Sequence, residues 1–215
     1  MVNLSDLLIQ LDVLDKEIIS SFYVSSISGK NPVDIIREKL SIGTDYISSR
    51  VEALVSHGFI ETDKKTLTDL GRGSIRVVLA GGVFDIIHPG HIHTLRGAKA
   101  LGNVLVVVVA TDTTAQKMKK RIPLHNMELR RELVSALSMV DHAIVGHEGD
   151  IFKTVQFVKP DIIALGYDQI HQEKFIIDGC KKIGVEVSIA RLQSPIPDIK
   201  SSKIESDYGK SIYGL

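Results

Sequence analysis

The stretch Val77-Val-Leu-Ala-Gly-Gly-Val-Phe-Asp-Ile-Ile-His-Pro-Gly-His91 decides how this chain is read. An apolar strand runs into two glycines, and a short turn delivers His88, Pro89, Gly90 and His91 to the start of a helix. A helix N-terminus offers unpaired backbone N–H groups and the positive end of the helix dipole, which suits it to phosphate. Gly90 lets a phosphate approach the backbone with no Cβ in the way. Pro89 gives up an N–H that a first-turn residue leaves unused within the helix. Two histidines at this spacing can hold a nucleoside triphosphate while its α-phosphorus is attacked. A bare His-x-x-His pair is usually incidental in a soluble protein. The strand, the paired glycines and Phe84-Asp85 in the same run set this one apart.

Outward from that stretch the pattern alternates. Strands are expected over 76–80, 104–110, 143–145, 161–165 and 185–191, and helices over 91–101, 127–137, 151–158 and 173–183. Residues 104–110 form a near-continuous apolar run, as a strand buried on both faces requires. Strands alternating with helices predict an α/β, Rossmann-like parallel sheet, whose ligands lie beyond the C-terminal strand ends. The histidines sit at such an end. So does the basic run Lys117, Lys119, Lys120 and Arg121 after the second strand, of which Lys119 is favoured as a phosphate ligand. Arg130 and Arg131 open the next helix, an unfavourable place for cations unless one of them faces an anion.

Residues before Gly71 read differently. Helices are expected over 14–23, 32–40 and 45–57, with Asn31 as N-cap, Pro32 at the first helical position and Gly58 as C-terminal cap. A short β-hairpin follows over 59–68. Three helices and a wing resemble a winged helix-turn-helix domain over 1–73, followed by the α/β domain over 74–205 and a loose tail over 206–215. Residues 1–74 carry eight Lys/Arg against eleven Asp/Glu, a net charge of −3. An acidic reader of DNA starts at a disadvantage, because phosphate contacts dominate affinity. Dimerisation or docking is therefore the preferred role, while Lys64 and Lys65 at the wing tip keep a DNA partner open.

The 215 residues suffice for one substantial core and a small second domain. With 44% hydrophobic and 24% charged residues, the composition is that of a soluble globular protein. Zero formal net charge implies no global attraction to nucleic acid or membrane. The single cysteine, Cys180, excludes an intramolecular disulfide and fits a reducing cytoplasm. No apolar run reaches membrane-spanning length, and no secretory leader opens the sequence. His125, His142, His147 and His171 show no metal-ligand spacing and read as surface or loop residues.

His88-Pro89-Gly90-His91, preceded by Gly82-Val83-Phe84-Asp85, resembles the HxGH signature of the cytidylyltransferase-like nucleotidyltransferases. Val83 stands where that family usually has threonine. The resemblance implies that Val83, Phe84, Asp85, Pro89 and Gly90 line the nucleotide site, with His88 and His91 on the α- and β-phosphates. It further implies that Mg²⁺, or another divalent cation, accompanies ATP, with Asp85 and Asp112 the nearest acidic candidates for indirect contact. Arg130 matches the arginine that follows the family's basic loop. Asp168 matches an aspartate that meets the nucleotide's ribose or base. Arg191, then Ser201 and Ser202, resemble the closing segment that contacts triphosphate.

Within the family, the glycerol-3-phosphate branch usually carries an arginine where this chain reads Ser138-Met139-Val140-Asp141. The chain more closely resembles the archaeal FAD synthase branch. The matching features are Arg130-Arg131-Glu132, Ala136-Leu137, Lys159-Pro-Asp-Ile-Ile and Leu165-Gly-Tyr-Asp-Gln169. That resemblance implies transfer of AMP from ATP to FMN, and a homodimer. CTP-dependent transfer to glycerol 3-phosphate or a related polyol phosphate remains an alternative. A DNA-binding regulator that senses a flavin or nucleotide is another.

Overall fold

The computed structural model describes residues 10–166, 172–193, 204 and 207. The chain divides into two compact units, Met1–Ile75 and Arg76–Leu215.

The first unit is helical, with α1 (Val13–Ser28), α2 (Pro32–Lys39), α3 (Thr44–Ser56) and the short α4 (Asp69–Gly73). Asp12 opens α1 with a reciprocal cap: its carboxylate accepts from Asp15 N at 2.8 Å, and that of Asp15 accepts from Asp12 N at 3.2 Å. The helix runs past its expected end to Gly29, whose φ of +72° turns the chain out of it. Asn31 caps α2 by accepting from Val33 N at 2.8 Å, as expected. Ile18, Ile19 and Phe22 of α1, Ile36 of α2 and Ile47 and Leu54 of α3 are buried and form the core. The expected hairpin is reduced to a single antiparallel bridge between Ile60 and Leu67. Backbone bonds from Glu61 N to Thr66 O at 2.9 Å and from Thr68 N to Phe59 O at 3.2 Å flank it, and in the turn the Asp63 carboxylate accepts from Lys65 N and Thr66 N.

The second unit carries one parallel sheet of β1 (Val77–Gly82), β2 (Val104–Val109), β3 (His142–Val145), β4 (Ile162–Leu165) and β5 (Ser188–Arg191). Their order is β3-β2-β1-β4-β5. Strand order reverses between β1 and β4, where Leu79 pairs with Ile163 and Ala80 with Ala164. An open α/β sheet places its ligand crevice at that switch point. Helices α5 (Pro89–Lys99) and α7 (Met127–Ser135) pack against β1, β2 and β3. Between them lies a buried cluster that includes Val78, Ala80, Leu95, Ala98, Val107 and Val134. Side chains alternate along a strand, so Leu79, Val108 and Ile163 face the other way. There stand α6 (Asp112–Lys119), α8 (Ile151–Val158) and α9 (Glu173–Lys182). Lys117 and Lys119, expected in a loop, lie in the last turn of α6, where cations complement the helix dipole. The last strand is shorter than expected, beginning at Ser188.

Candidate active site

The turn after β1 is built under strain. Phe84 adopts a φ of +53° yet is buried; a bulky residue there costs roughly 1–3 kcal/mol and persists only when its surroundings hold it. Gly82 makes room for the ring, since a Cβ on it would sit 2.9 Å from Phe84 Cε2. The ring in turn lies against His91, with centroids 5.1 Å apart. His88 occupies the N-cap of α5 in extended conformation and makes no side-chain cap, with Pro89 next as the sequence implies. Its imidazole is therefore turned to another use. His88 and His91 stack with centroids 3.9 Å apart and planes at 30°. The buried Nδ1 of His88 has no partner among the described residues.

Two stacked rings cannot both carry charge cheaply. Burial, then the positive charge of Lys119, holds His88 below its usual value. Burial, followed by the charges of His88 and Lys119, pushes His91 down to about 4, against a weaker opposing hydrogen bond to the Ile86 backbone. Both rings are thus neutral at pH 7. Lys119 is exposed, with no carboxylate in ion-pair reach among the described residues. Neutral donors beside an uncompensated cation, at a helix N-terminus, favour a polyanion over a cation.

The Arg130 side chain is fully buried and its guanidinium is engaged by the protein. Nε donates to His125 O at 3.0 Å, Nη1 to Val83 O at 2.6 Å, and Nη2 to Ala110 O at 2.9 Å and Asp112 Oδ1 at 2.7 Å. One side chain thereby ties the strained turn, the end of β2 and the loop before α7. Asp85 is likewise a brace, at 1% exposure. Its Oδ1 accepts from Leu124 N at 2.7 Å, and Oδ2 pairs with Arg121 at 2.7 Å. Val83 and Phe84 are buried too, so their part is to shape the turn, while Gly90 is buried and Pro89 exposed in the first turn of α5. The Asp112 side chain keeps 45% of its surface exposed beside Arg130. Arg131 pairs with Glu128 at 3.1 Å, away from this frame. Arg191 ends β5 in an ion pair with Glu173 at 2.5 Å. Asp168, Ser201, Ser202 and His171 lie outside the described residues.

A cavity of about 460 Å³ opens on the sheet face opposite α5. Leu79, Val108 and Ile163 form its floor, and Met118 and Phe175 stand at its sides. It reaches Gly82 and Ala110, which are joined by a 2.9 Å hydrogen bond where the turn bearing the histidines begins. His147, read from sequence as a loop residue, lines it. Periodicity could not have found that cavity, because no local pattern reports which helices leave a sheet face open. Among the described residues, no three His, Cys, Asp or Glu side chains gather as a metal cage. No helix among them is long and apolar enough to cross a membrane.

Comparison with known proteins agrees with this geometry. Residues 79–206 match the family model described as cytidylyltransferase-like. The chain is 50% identical to the FAD synthase of Picrophilus torridus over 125 residues, 58% of this chain and 89% of that one. It is 51% identical to the FAD synthase of Aciduliprofundum boonei over 116 residues, 54% of this chain and 77% of that one. Among solved structures, it is similar to the lipopolysaccharide core biosynthesis protein of Thermoplasma volcanium, with a TM-score of 0.53 and 50% identity. That match covers 56% of this chain and 98% of the other. With its stacked histidines at the head of α5, the crevice at the switch point and a family match over more than half its length, the chain belongs to the cytidylyltransferase-like family.

Proposed function

We propose that this protein transfers AMP from ATP to FMN, forming FAD and pyrophosphate. The observation that carries the reading is the pair of stacked, neutral histidines at the N-terminus of α5, within the field of Lys119. Kinship with FAD synthases at about half identity supplies the acceptor. An oxygen of the FMN phosphate attacks the α-phosphorus of ATP. The bond from that phosphorus to the oxygen bridging to the β-phosphate breaks, and pyrophosphate leaves with the electron pair. The attacking phosphate is already ionised near neutral pH, so no general base is required. Catalysis then rests on positioning and on charge stabilisation. His88 and His91 donate hydrogen bonds to the α- and β-phosphate oxygens, and Lys119 offsets the charge that grows on pyrophosphate. Arg130 and Asp85 hold the turn that aims the histidines.

A divalent cation suits this site only as a companion of the triphosphate, since Mg²⁺ keeps most of its waters and needs few carboxylates. Asp112, half-exposed at the head of α6, is the residue that would hold it. The ion would supply charge neutralisation on the phosphate oxygens.

Three helices followed by the Ile60–Leu67 bridge support a winged-helix reading of residues 1–73, and their acidic balance supports docking or self-association over DNA binding. A homodimer rests on the family resemblance, and sedimentation equilibrium tests it. The buried, unpaired Cys180 is consistent with a reducing, cytoplasmic setting. The functional reading is tested by incubating the protein and Mg²⁺ with FMN plus ATP, and with glycerol 3-phosphate plus CTP. FAD formed only from the first pair supports it, whereas CDP-glycerol from the second would replace it.

A further inference from the structure

We propose that His147 is a specificity-determining residue for the acceptor, presenting an N–H to the polar edge of the flavin ring at the mouth of the apolar cavity. This rests on the functional reading above. The cavity wall is largely aliphatic and aromatic, which suits a flat fused ring and not a phosphate. Two of the hydrogen-bonding side chains around it are taken up as helix caps. Asp150 accepts from Phe152 N at 2.9 Å as the cap of α8, and Thr111 accepts from Thr114 N at 3.2 Å as the cap of α6.

His147 is held differently. Thr154 is buried, and its Oγ1 accepts from His147 N at 3.0 Å while lying 3.0 Å from His147 Nδ1. Nδ1 is the acceptor within reach of the buried hydroxyl's proton among the described residues, which assigns the tautomer with hydrogen on Nε2. The Phe157 ring, 6.2 Å away and edge-on, flanks the imidazole. Gly146, just before it, leaves the end of β3 uncrowded: a Cβ there would meet Val108 Cγ1 at 3.0 Å. The result is an oriented N–H donor at the rim of a cavity lined by apolar groups. An isoalloxazine carries two carbonyl oxygens and bare ring nitrogens around its pyrimidine end, and a dimethylbenzene ring at the other end. A donor at the mouth and an aliphatic floor fit those two ends in that order. A polyol phosphate has no apolar end to bury.

The test is steady-state FAD formation by His147→Ala, Thr154→Val and Thr154→Ser, with thermal unfolding as a control. Loss of one oriented hydrogen bond should raise KM for FMN roughly tenfold in His147→Ala. KM for ATP should stay within about twofold. Thr154→Val should follow in the same direction, and Thr154→Ser, which keeps the hydroxyl, should restore the wild-type value. The absorption shift of FMN on binding should shrink in the first two variants only. His147 is exposed, so His147→Ala should unfold at the wild-type temperature. An unchanged KM for FMN in His147→Ala, with wild-type protein making FAD, would overturn the proposal and leave the function standing. Equal rises in both KM values would overturn it as well. Wild-type protein that makes no FAD would remove the functional reading and this proposal with it.

Discussion

The first unit and the candidate site of the second hold positive charge differently. In the first, Arg50 of α3 meets Asp12 at 2.6 Å and Asp15 at 2.5 Å, and Lys64 in the turn pairs with Glu52. At the site, Arg130 and Arg121 are drawn inward as braces, while Lys119 stands near the histidines without a counter-ion among the described residues. A cation already paired with an acid has little to offer a polyanion. A site that withholds the neutralising acid is ready for one. The difference separates scaffold from chemistry more sharply than the sequence total of zero charge suggests.

Breaking the comparison at its most buried point should have the largest effect. Arg130→Met leaves Asp112 and three carbonyls without their donor, and should cost about 3–5 kcal/mol in denaturant unfolding. The half-exposed counterpart, Arg50→Met, should cost about 1 kcal/mol. Equal losses in the two variants would erase the distinction drawn between the units.

Protonation sharpens it further. Both histidines lie below the ordinary 6.5 when folded, so the unfolded chain takes up protons first. Their contribution to stability is therefore intact above pH 6.5 and declines as the pH falls towards about 4, where His91 titrates. Bound triphosphate should raise both values. Calorimetry at pH 6 in buffers of different ionisation enthalpy should then register proton uptake on ATP binding, smaller at pH 8 and smaller in His91→Gln. Proton release instead would contradict neutral histidines in the free protein. The smallest effect belongs to the first unit. Lys64→Ala removes an exposed pair and should shift stability by no more than about 0.5 kcal/mol. It should also leave duplex DNA unbound at 0.15 M salt, as in the unchanged protein. A salt-dependent shift with DNA that Lys64→Ala abolishes would turn the docking reading around.

Much of this was legible in the chain itself. The run from Val77 to His91 announces strand, turn and helix because each local preference points the same way. Buried strands such as Val104–Val109 declare themselves through unbroken apolar residues. The bracing by Arg130 was not legible, because sequence shows that a cation opens a helix, not that the Val83 and Ala110 carbonyls converge on it from distant segments. The partners of Asp85, Arg121 and Leu124, were equally hidden, since they approach across the sheet end. The expected hairpin closes as one bridge whose turn is set by the Asp63 carboxylate, a contact no periodicity reports. His147 was missed because its value depends on a cavity made by three helices and a sheet face.

The central claim is that His88 and His91 form the phosphate site of an adenylyl transfer. Its most direct test is FAD formation from FMN and ATP by the wild type and by His91→Ala, with pyrophosphate counted alongside. The account predicts one pyrophosphate per FAD in the wild type, and a turnover lowered roughly 100- to 1,000-fold in the variant at unchanged secondary structure. Near-normal turnover in folded His91→Ala would contradict it.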